Sequence, residues 1–351
     1  MRLMRSAFRV MAMVAIVAVS HTARGQQTYT LTDLGVISGT DTGPRGIANG
    51  GAITVSQLVS GFPRGFLVNS GSSVPIGTLG GSSTQSTAVA VNGTSSAVQI
   101  AGFSTTSGGE THAFLWTQGG TGGVSGNPQM KDLGKLGGTR SEAYAINTTG
   151  RVAGYSEVAS GYEHAFLYNG TTMVDVGAML DSTLGLPWSY AYGVNATSRV
   201  VGVAFNDTYT VAVAFLYNGT SVRSLGNLGF AWSEAFAIND ANQVVGYSTL
   251  SDGSEEAFIW NGTSMASLGS LGGSSYALAT NNSGAVVGGS YTDNADTIYR
   301  AFVTVSGSMR NLNTMLDSSG AGWTLTEAID INDSGQIIGK ARSVACRMAT
   351  C

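Results

Sequence analysis

Short apolar runs of about five residues alternate with Gly-, Asn-, Ser- and Thr-rich joints along most of this chain, and the clearest stretch is Lys131 to Gly177. It contains four such runs: Ala143–Asn147, Arg151–Ser156, His164–Tyr168 and Thr172–Val176. Runs of this length bounded by turn formers predict β-strands. Asn147-Thr148-Thr149-Gly150 and Tyr168-Asn169-Gly170-Thr171 join them, with Gly150 and Gly170 where a hairpin needs positive φ. The stretch is therefore expected to be a four-stranded antiparallel meander. One such sheet cannot bury both of its faces, but stacked copies can.

The copies are present. An Asn closing the first run recurs at Asn49, Asn92, Asn147, Asn195, Asn239, Asn281 and Asn332. A Gly follows in the second run at Gly102, Gly154, Gly202, Gly246, Gly288 and Gly339. Phe66, Phe114, Phe166, Phe215, Phe258 and Phe302 mark the third run, and Leu34, Leu133, Leu225 and Leu268 mark the fourth. Gly119 to Pro128 is an insertion expected to form an extended loop. Seven units of roughly 45 residues predict an all-β, seven-bladed β-propeller. A β-solenoid is the alternative, with shorter rungs and fewer hairpins. Small residues at Ala88, Ala143, Ala191, Ala235, Ala277 and Ala328 suit a strand crowded against a central axis, and Tyr144, Tyr192 and Phe236 suit wedges between blades.

Closure is the irregular part. Gln27–Gly35 matches a fourth strand with nothing before it, as expected if the N-terminal strand completes the last blade. The last blade then supplies Ile329–Asn332 and Gln336–Gly339, but its third strand is missing, because SVACRMATC does not match the repeat.

Residues 1–25 read as a secretory signal peptide. Arg2, Arg5 and Arg9 precede the apolar run Val10–Ser20, and Ala23-Arg24-Gly25 places small residues at the cleavage positions. The domain organisation is then a leader over 1–25, one repeat domain over 26–340 and an atypical tail over 341–351. No later run is long enough to cross a membrane, so no transmembrane segment is expected after cleavage. The expected location is extracytoplasmic, either secreted or periplasmic.

Composition narrows the function. Charged residues are 11% of the chain and the net charge is −4. No basic patch is present, which argues against nucleic acid as a partner. Gly accounts for 50 of 351 residues, in keeping with many turns. Little helix is expected.

His112-Ala113-Phe114-Leu115-Trp116 and His164-Ala165-Phe166-Leu167-Tyr168, with neighbouring DLGxLGG, AxAIN and GxVVGxS pieces, resemble the extracellular HAF-repeat family. The resemblance covers nearly all of Tyr29 to Lys340. It implies a bacterial exported protein and no particular activity.

No Ser/His/Asp arrangement, HExxH or phosphate loop is present, and no cofactor or metal is expected. His112 and His164 share a register, but Val213, Glu256 and Arg300 replace them elsewhere, so the column reads as structural. Asp240, Asn282 and Asp333 read as turn residues that bond nearby backbone. Cys346 and Cys351 could close a small disulfide loop.

The column before the first strand holds the candidate site. Ser86, Ser141, Ser189, Ser233, Ser275 and Thr326 are followed by Glu142, Tyr190, Glu234, Tyr276 and Glu327, with Trp188, Trp232 and Trp323 just upstream. In a propeller this segment lies at the channel mouth. The candidate ligand residues are Ser141, Glu142, Trp188, Tyr190, Trp232, Ser233, Glu234, Tyr276 and Glu327. They suit a binding or cell-envelope interaction scaffold whose partner is a glycan, a small molecule or an envelope protein. The alternative is a carbohydrate-active hydrolase or lyase using two of the Glu carboxylates. The bland reading is that the Ser and Glu side chains satisfy backbone groups at a crowded crossing.

Overall fold

Seven four-stranded antiparallel units follow one another around a closed ring, and a single parallel pairing, Arg140↔Thr111, joins the second unit to the third. The structure, a computed structural model, describes residues 14–23, 26–34, 40–80, 85–94 and 97–343. Two strands come first, β1 (Val14–Ala23) and β2 (Gln26–Asp33). Blade 1 is β3 (Thr40–Ile47), β4 (Ile53–Val59), β5 (Phe62–Asn69) and β6 (Ser72–Pro75). Blade 2 is β7 (Ser86–Thr94), β8 (Ala97–Thr105), β9 (Thr111–Thr117) and β10 (Met130–Asp132). Blade 3 is β11 (Gly137–Ile146), β12 (Val152–Val158), β13 (Glu163–Tyr168) and β14 (Met173–Asp175). The helix α1 (Gly177–Leu184) follows. Blade 4 is β15 (Trp188–Val194), β16 (Val200–Phe205), β17 (Ala212–Tyr217) and β18 (Val222–Ser224). Blade 5 is β19 (Ser233–Ile238), β20 (Val244–Thr249), β21 (Glu255–Trp260) and β22 (Met265–Gly269). Blade 6 is β23 (Ser275–Thr280), β24 (Val286–Tyr291), β25 (Tyr299–Val305) and β26 (Ser308–Asn311). Blade 7 combines β27 (Trp323–Ile331) and β28 (Ile337–Ser343) with the two N-terminal strands, in the order β27, β28, β1, β2. This is the propeller expected from the repeats, and β2 is the outer strand that closes it.

Each seam between blades has its own apolar cluster. Ala143 packs with Ala101 and Ala113 of blade 2 and with Phe166 of its own blade. Ala191 meets Ala153 and Ala165, Ala235 meets Val201 and Ala214, and Ala277 meets Val245 and Ala257. Ile47, Val55 and Ile338 join blade 1 to blade 7. The small column therefore serves the preceding blade rather than the central axis: a larger side chain there would push two sheets apart.

The Gly column has a separate cause. Every inner strand carries a register shift, as between Ala143 and Ala145. The shift drives a carbonyl toward the second strand. A Cβ on Gly154 would lie 1.9 Å from the Glu142 carbonyl oxygen, and one on Gly246 would lie 1.9 Å from that of Glu234. Opposite these glycines stand Phe166 and Phe258, both fully buried.

Four details differ from the sequence reading. The repeat position in blade 1 is Ala48, not Asn49, since Ala48 makes the turn bonds that Asn147 makes in blade 3: its N–H reaches Ala52 O and its carbonyl accepts from Gly51 N–H. The third strand of blade 7 is present, and it is β1, drawn from the segment read as leader. Residues 341–343 continue β28, so the repeat domain extends beyond Lys340. The helix α1 was also not expected; it fills an insertion, where Leu180 and Leu186 enter the blade 3–4 cluster. Cys346 and Cys351 lie outside the described residues. Among those residues, no helix is long and apolar enough to cross a membrane.

Candidate functional site

The inner strands begin at one end of the ring and finish at the other, and the two ends are built differently. At the finishing end, each repeat Asn reaches across to the next blade. Asn147 Nδ2 donates to Asn195 O at 2.8 Å, Asn195 to Asn239 O at 3.2 Å, Asn239 to Asn281 O at 2.9 Å and Asn281 to Asn332 O at 3.0 Å. Asn92 bonds Asn147 O, and Asn332 donates to Ala48 O at 3.0 Å. The residue after the Asn makes a second ladder. Asp240 accepts from Ala196 N, Asn282 from Asp240 N and Asp333 from Asn282 N, each at 2.8 Å. These side chains thus bond the neighbouring blade's backbone, not merely their own turn. The finishing end is fully occupied in holding the ring.

At the starting end lie the candidate residues. Ser141 Oγ accepts from Ala113 N at 2.9 Å and donates to Gly134 O at 2.6 Å. Ser233 Oγ accepts from Ala214 N at 3.0 Å and donates to Gly226 O at 2.8 Å. Ser189 and Ser275 accept from Ala165 N and Ala257 N in the same way. Ser141 and Ser233 are buried. Their hydroxyls pin the third strand of the preceding blade, so these two belong to the frame rather than to a ligand surface.

The next position alternates between Glu and Tyr, and the alternation has a geometric meaning. In blades 3 and 5 the inner strand carries the acid. Glu142 is buried, takes the Arg140 guanidinium on Oε1 and accepts from the Tyr144 hydroxyl on Oε2 at 2.7 Å. Glu234 Oε1 accepts from Trp232 Nε1 at 3.0 Å and from the Tyr247 hydroxyl at 2.7 Å. In blades 4 and 6 the inner strand carries the phenol, and the acid lies on the third strand of the preceding blade. Tyr190 donates to Glu163 and Tyr276 donates to Glu255. In blade 7, Glu327 pairs with Lys340 at 2.6 Å.

The rings join into one aromatic band over blades 3 to 6. Tyr155 meets Tyr144 at 5.8 Å and Tyr190 at 5.2 Å between centroids. Tyr144, Tyr192 and Phe236 touch in succession at 5.7 and 5.6 Å. Tyr247 meets Tyr276 at 5.1 Å, and Tyr276 meets Tyr299 at 6.4 Å. A branch runs from Tyr162 through Trp188, Tyr209 and Phe205 to Trp232. Edge and tilted contacts of this kind add to the burial energy of each ring. Trp188, Tyr190, Trp232, Tyr276 and Tyr144 remain partly exposed.

Burial governs the titration of this end. It raises the Glu234 carboxyl above its ordinary range, against the bonds from Tyr247 and Trp232. Burial, then the neighbouring carboxylates, raise the phenols of Tyr144, Tyr247, Tyr190 and Tyr276 well beyond the usual tyrosine range. These tyrosines stay neutral donors at every physiological pH. Glu163, Glu255, Tyr155 and Tyr247 were not singled out in the sequence. The signal was available only for Glu163 and Glu255, which open equivalent third strands, as Glu157↔Glu163 and Thr249↔Glu255 show.

The HAF histidines serve elsewhere. His112 Nδ1 lies 2.9 Å from the Asp132 carboxylate and His164 Nδ1 2.9 Å from that of Asp175. The His of the third strand is thus tied to the Asp of the fourth. Among the described residues, no three His, Cys, Asp or Glu side chains stand together to hold a metal.

No family model matches this sequence, and no curated protein matches it. Solved structures do match in fold. Puromycin hydrolase aligns with a TM-score of 0.51 at 11% identity, over 88% of this chain and 54% of that one. The β-propeller domain of the Trilobed protease from Pyrococcus furiosus gives 0.49 at 12% identity, over 87% and 98%. TolB from Acinetobacter baumannii gives 0.40 at 12% identity, over 72% and 61%. At such identities the likeness is one of β-propeller fold alone.

Proposed function

We propose that this chain is an exported, non-enzymatic binding protein of the HAF-repeat kind, and that its ligand rests on the aromatic band at the starting end of blades 3 to 6. The observation that carries the reading is that each of the acids is tied to a donor side chain of its own blade. Glu142, Glu234 and Glu327 each have fixed donors from their own blade, and a tyrosine-bearing blade separates each from the next; Glu255, whose charge acts on Glu234, is itself held by the Tyr276 hydroxyl. A glycosidase needs a carboxylate pair within roughly 5–10 Å with room for water or a nucleophilic approach. Acids already satisfied by Arg, Tyr, Trp and Lys act better as supports for the rings around them.

The exposed parts of Trp188, Tyr190, Trp232 and Tyr276 offer flat apolar surface beside hydroxyl and carboxylate edges. Such a surface suits a sugar ring or another small molecule with one apolar face, because aromatic side chains supply large contact area at low entropy cost. A protein of the cell envelope is the alternative partner. The test is a glycan array and a small-molecule binding screen on the exported protein, run beside a hydrolysis screen. Saturable binding lost in Trp188→Ala, with no turnover, supports the reading. Turnover abolished by Glu142→Gln or Glu234→Gln would replace it with the hydrolase.

A further inference from the structure

The residue that each inner strand leaves unpaired forms a column of its own. In β11 the register shift skips Tyr144, because Ala143 pairs Gly154 and Ala145 pairs Ala153. The same step skips Tyr192 in β15 and Phe236 in β19. It skips Val89 in β7, Leu278 in β23 and Ile329 in β27. In β3 the skipped residue is Arg45, between Pro44↔Val55 and Gly46↔Thr54. The seven inner strands neighbour one another in a closed ring. The rings of Tyr144, Tyr192 and Phe236 touch from blade to blade along it. A bulge re-aims the side chain it carries, and here it aims the column at the central channel.

Arg45 is the one charged member of the column, and it is exposed where the other six are partly buried. Among the described residues, its guanidinium makes no ion pair, hydrogen bond or ring contact. Its neighbours in the ring do not supply a counter-charge, since Val89 and Ile329 are aliphatic. A Cβ on Gly46 would lie 3.2 Å from Val89 O, so the inner strands of blades 1 and 2 close tightly beside it. Asp330, the acid of the adjoining seam, spends one oxygen on Ile47 N and the other on Ile331 N. The frame therefore makes no use of the Arg45 charge. Across the ring, Glu142, Glu234 and Glu255 are already held by donors of their own. These acids repel an anion and Arg45 attracts one, and a charge within apolar walls is felt further than one on an open surface.

We propose that the channel holds a small molecule with one anionic group on a flat apolar body, its anion on Arg45 and its body against Tyr144, Tyr192 and Phe236. This rests on the binding reading above and names the class of ligand. A guanidinium fork takes two oxygens of a carboxylate or a phosphate ester through parallel N–H bonds. The rings give the body a flat contact at low entropy cost. With acids on one side of the channel and the cation on the other, the ligand has a single favoured orientation.

The experiment is calorimetric titration of the purified exported protein with naphthoate, naphthyl phosphate and naphthylmethanol, which share one flat body. At least one anion should bind saturably, roughly tenfold or more tighter than the neutral alcohol. The two anions compared with each other tell carboxylate from phosphate. Arg45→Gln should erase the preference for the anion and leave the melting temperature unchanged, because an exposed side chain without partners contributes little to stability. Arg310→Gln, on the outer strand of blade 6, should keep the preference. Phe236→Leu should weaken all three probes alike. The inference is overturned if the alcohol binds as tightly as both anions, if Arg45→Gln keeps the preference, or if Arg310→Gln loses it equally. A neutral glycan that binds and is lost in Trp188→Ala, with neither anion bound, overturns this inference and leaves the proposed function standing. No saturable binding of any probe or glycan overturns both.

Discussion

Asn239 donates its side-chain amide to the carbonyl of Asn281 at 2.9 Å, while its own Oδ1 accepts from the backbone of Gln243 at 2.9 Å. One buried side chain thus closes its own hairpin and ties blade 5 to blade 6. Truncating it leaves at least one buried partner unsatisfied, which costs about 1–3 kcal/mol. Asn239→Ala is expected to lower the unfolding free energy by an amount in this range, seen as a lower urea midpoint with the slope unchanged. An effect under 0.5 kcal/mol would show that water replaces the amide, as at a surface turn.

Ala48 stands where six other blades place the Asn. The blade 1–2 seam lacks that clamp and is crossed instead by Thr54 Oγ1 to Val89 O at 3.4 Å, Ser56 Oγ to Ala88 O at 3.2 Å, Gly65 N to Ser86 Oγ at 3.2 Å and Asn127 Nδ2 to Ile76 O at 2.9 Å. Ala48→Asn should add the missing clamp and raise stability by about 1 kcal/mol. Thermal melting checks this; a lower melting temperature would mean that the amide cannot reach the carbonyl of Asn92.

Ser141→Ala removes an acceptor for Ala113 N and a donor to Gly134 O. A loss of about 1–3 kcal/mol is expected from the stranded backbone groups. Ligand affinity, measured below the melting transition, should be unchanged. A drop in affinity at constant stability would return the hydroxyl to the ligand surface.

Asp330 sits in the blade 7–1 seam, where its carboxylate accepts from Ile47 N at 2.9 Å and from Ile331 N at 2.8 Å. Burial raises its carboxyl to about 6, against these two bonds. An acid whose folded value is raised contributes stability below its unfolded value near 4, and that contribution is lost as pH rises through about 6. The difference of roughly two units corresponds to at most about 3 kcal/mol. The melting temperature of Asp330→Asn relative to wild type should therefore be higher at pH 8 than near pH 4, whatever constant offset follows from an amide having one acceptor for the two N–H groups. Parallel melting curves at both pH values would show that the seam pays nothing for this charge.

Much of the fold was readable because the repeat writes each physical constraint as a column. Gly154 and Phe166 recur together because a bulged inner strand forces one and leaves room for the other. Asn147 recurs because its amide spans two blades, although the sequence alone shows only its turn role. Misplacing the blade 1 repeat by one residue has a simple cause: Asn49 follows Ala48 and occupies the second ladder, where it bonds Asp333. The candidate site was readable as the alternation of Glu142, Tyr190, Glu234 and Tyr276. Its other half was not, because Glu163 and Glu255 sit at strand starts, where a lone acid resembles an ordinary solvated edge. Nor does a one-dimensional pattern reveal that the Ser hydroxyls point back into the preceding blade.

Every Asn clamp runs in the same sense, from each blade to the one that follows. The chain of clamps starts at blade 2 and stops at blade 1, so the ring has a head, a tail and a single clasp between them. That clasp is displaced by one blade from the place where the polypeptide itself is joined. A molecule whose termini were rewired to lie between blades 1 and 2 would keep all six clamps and put its covalent break at the one seam without an Asn clamp. Pulled apart by its natural ends, the same ring should yield first at a different joint from the one where heat loosens it.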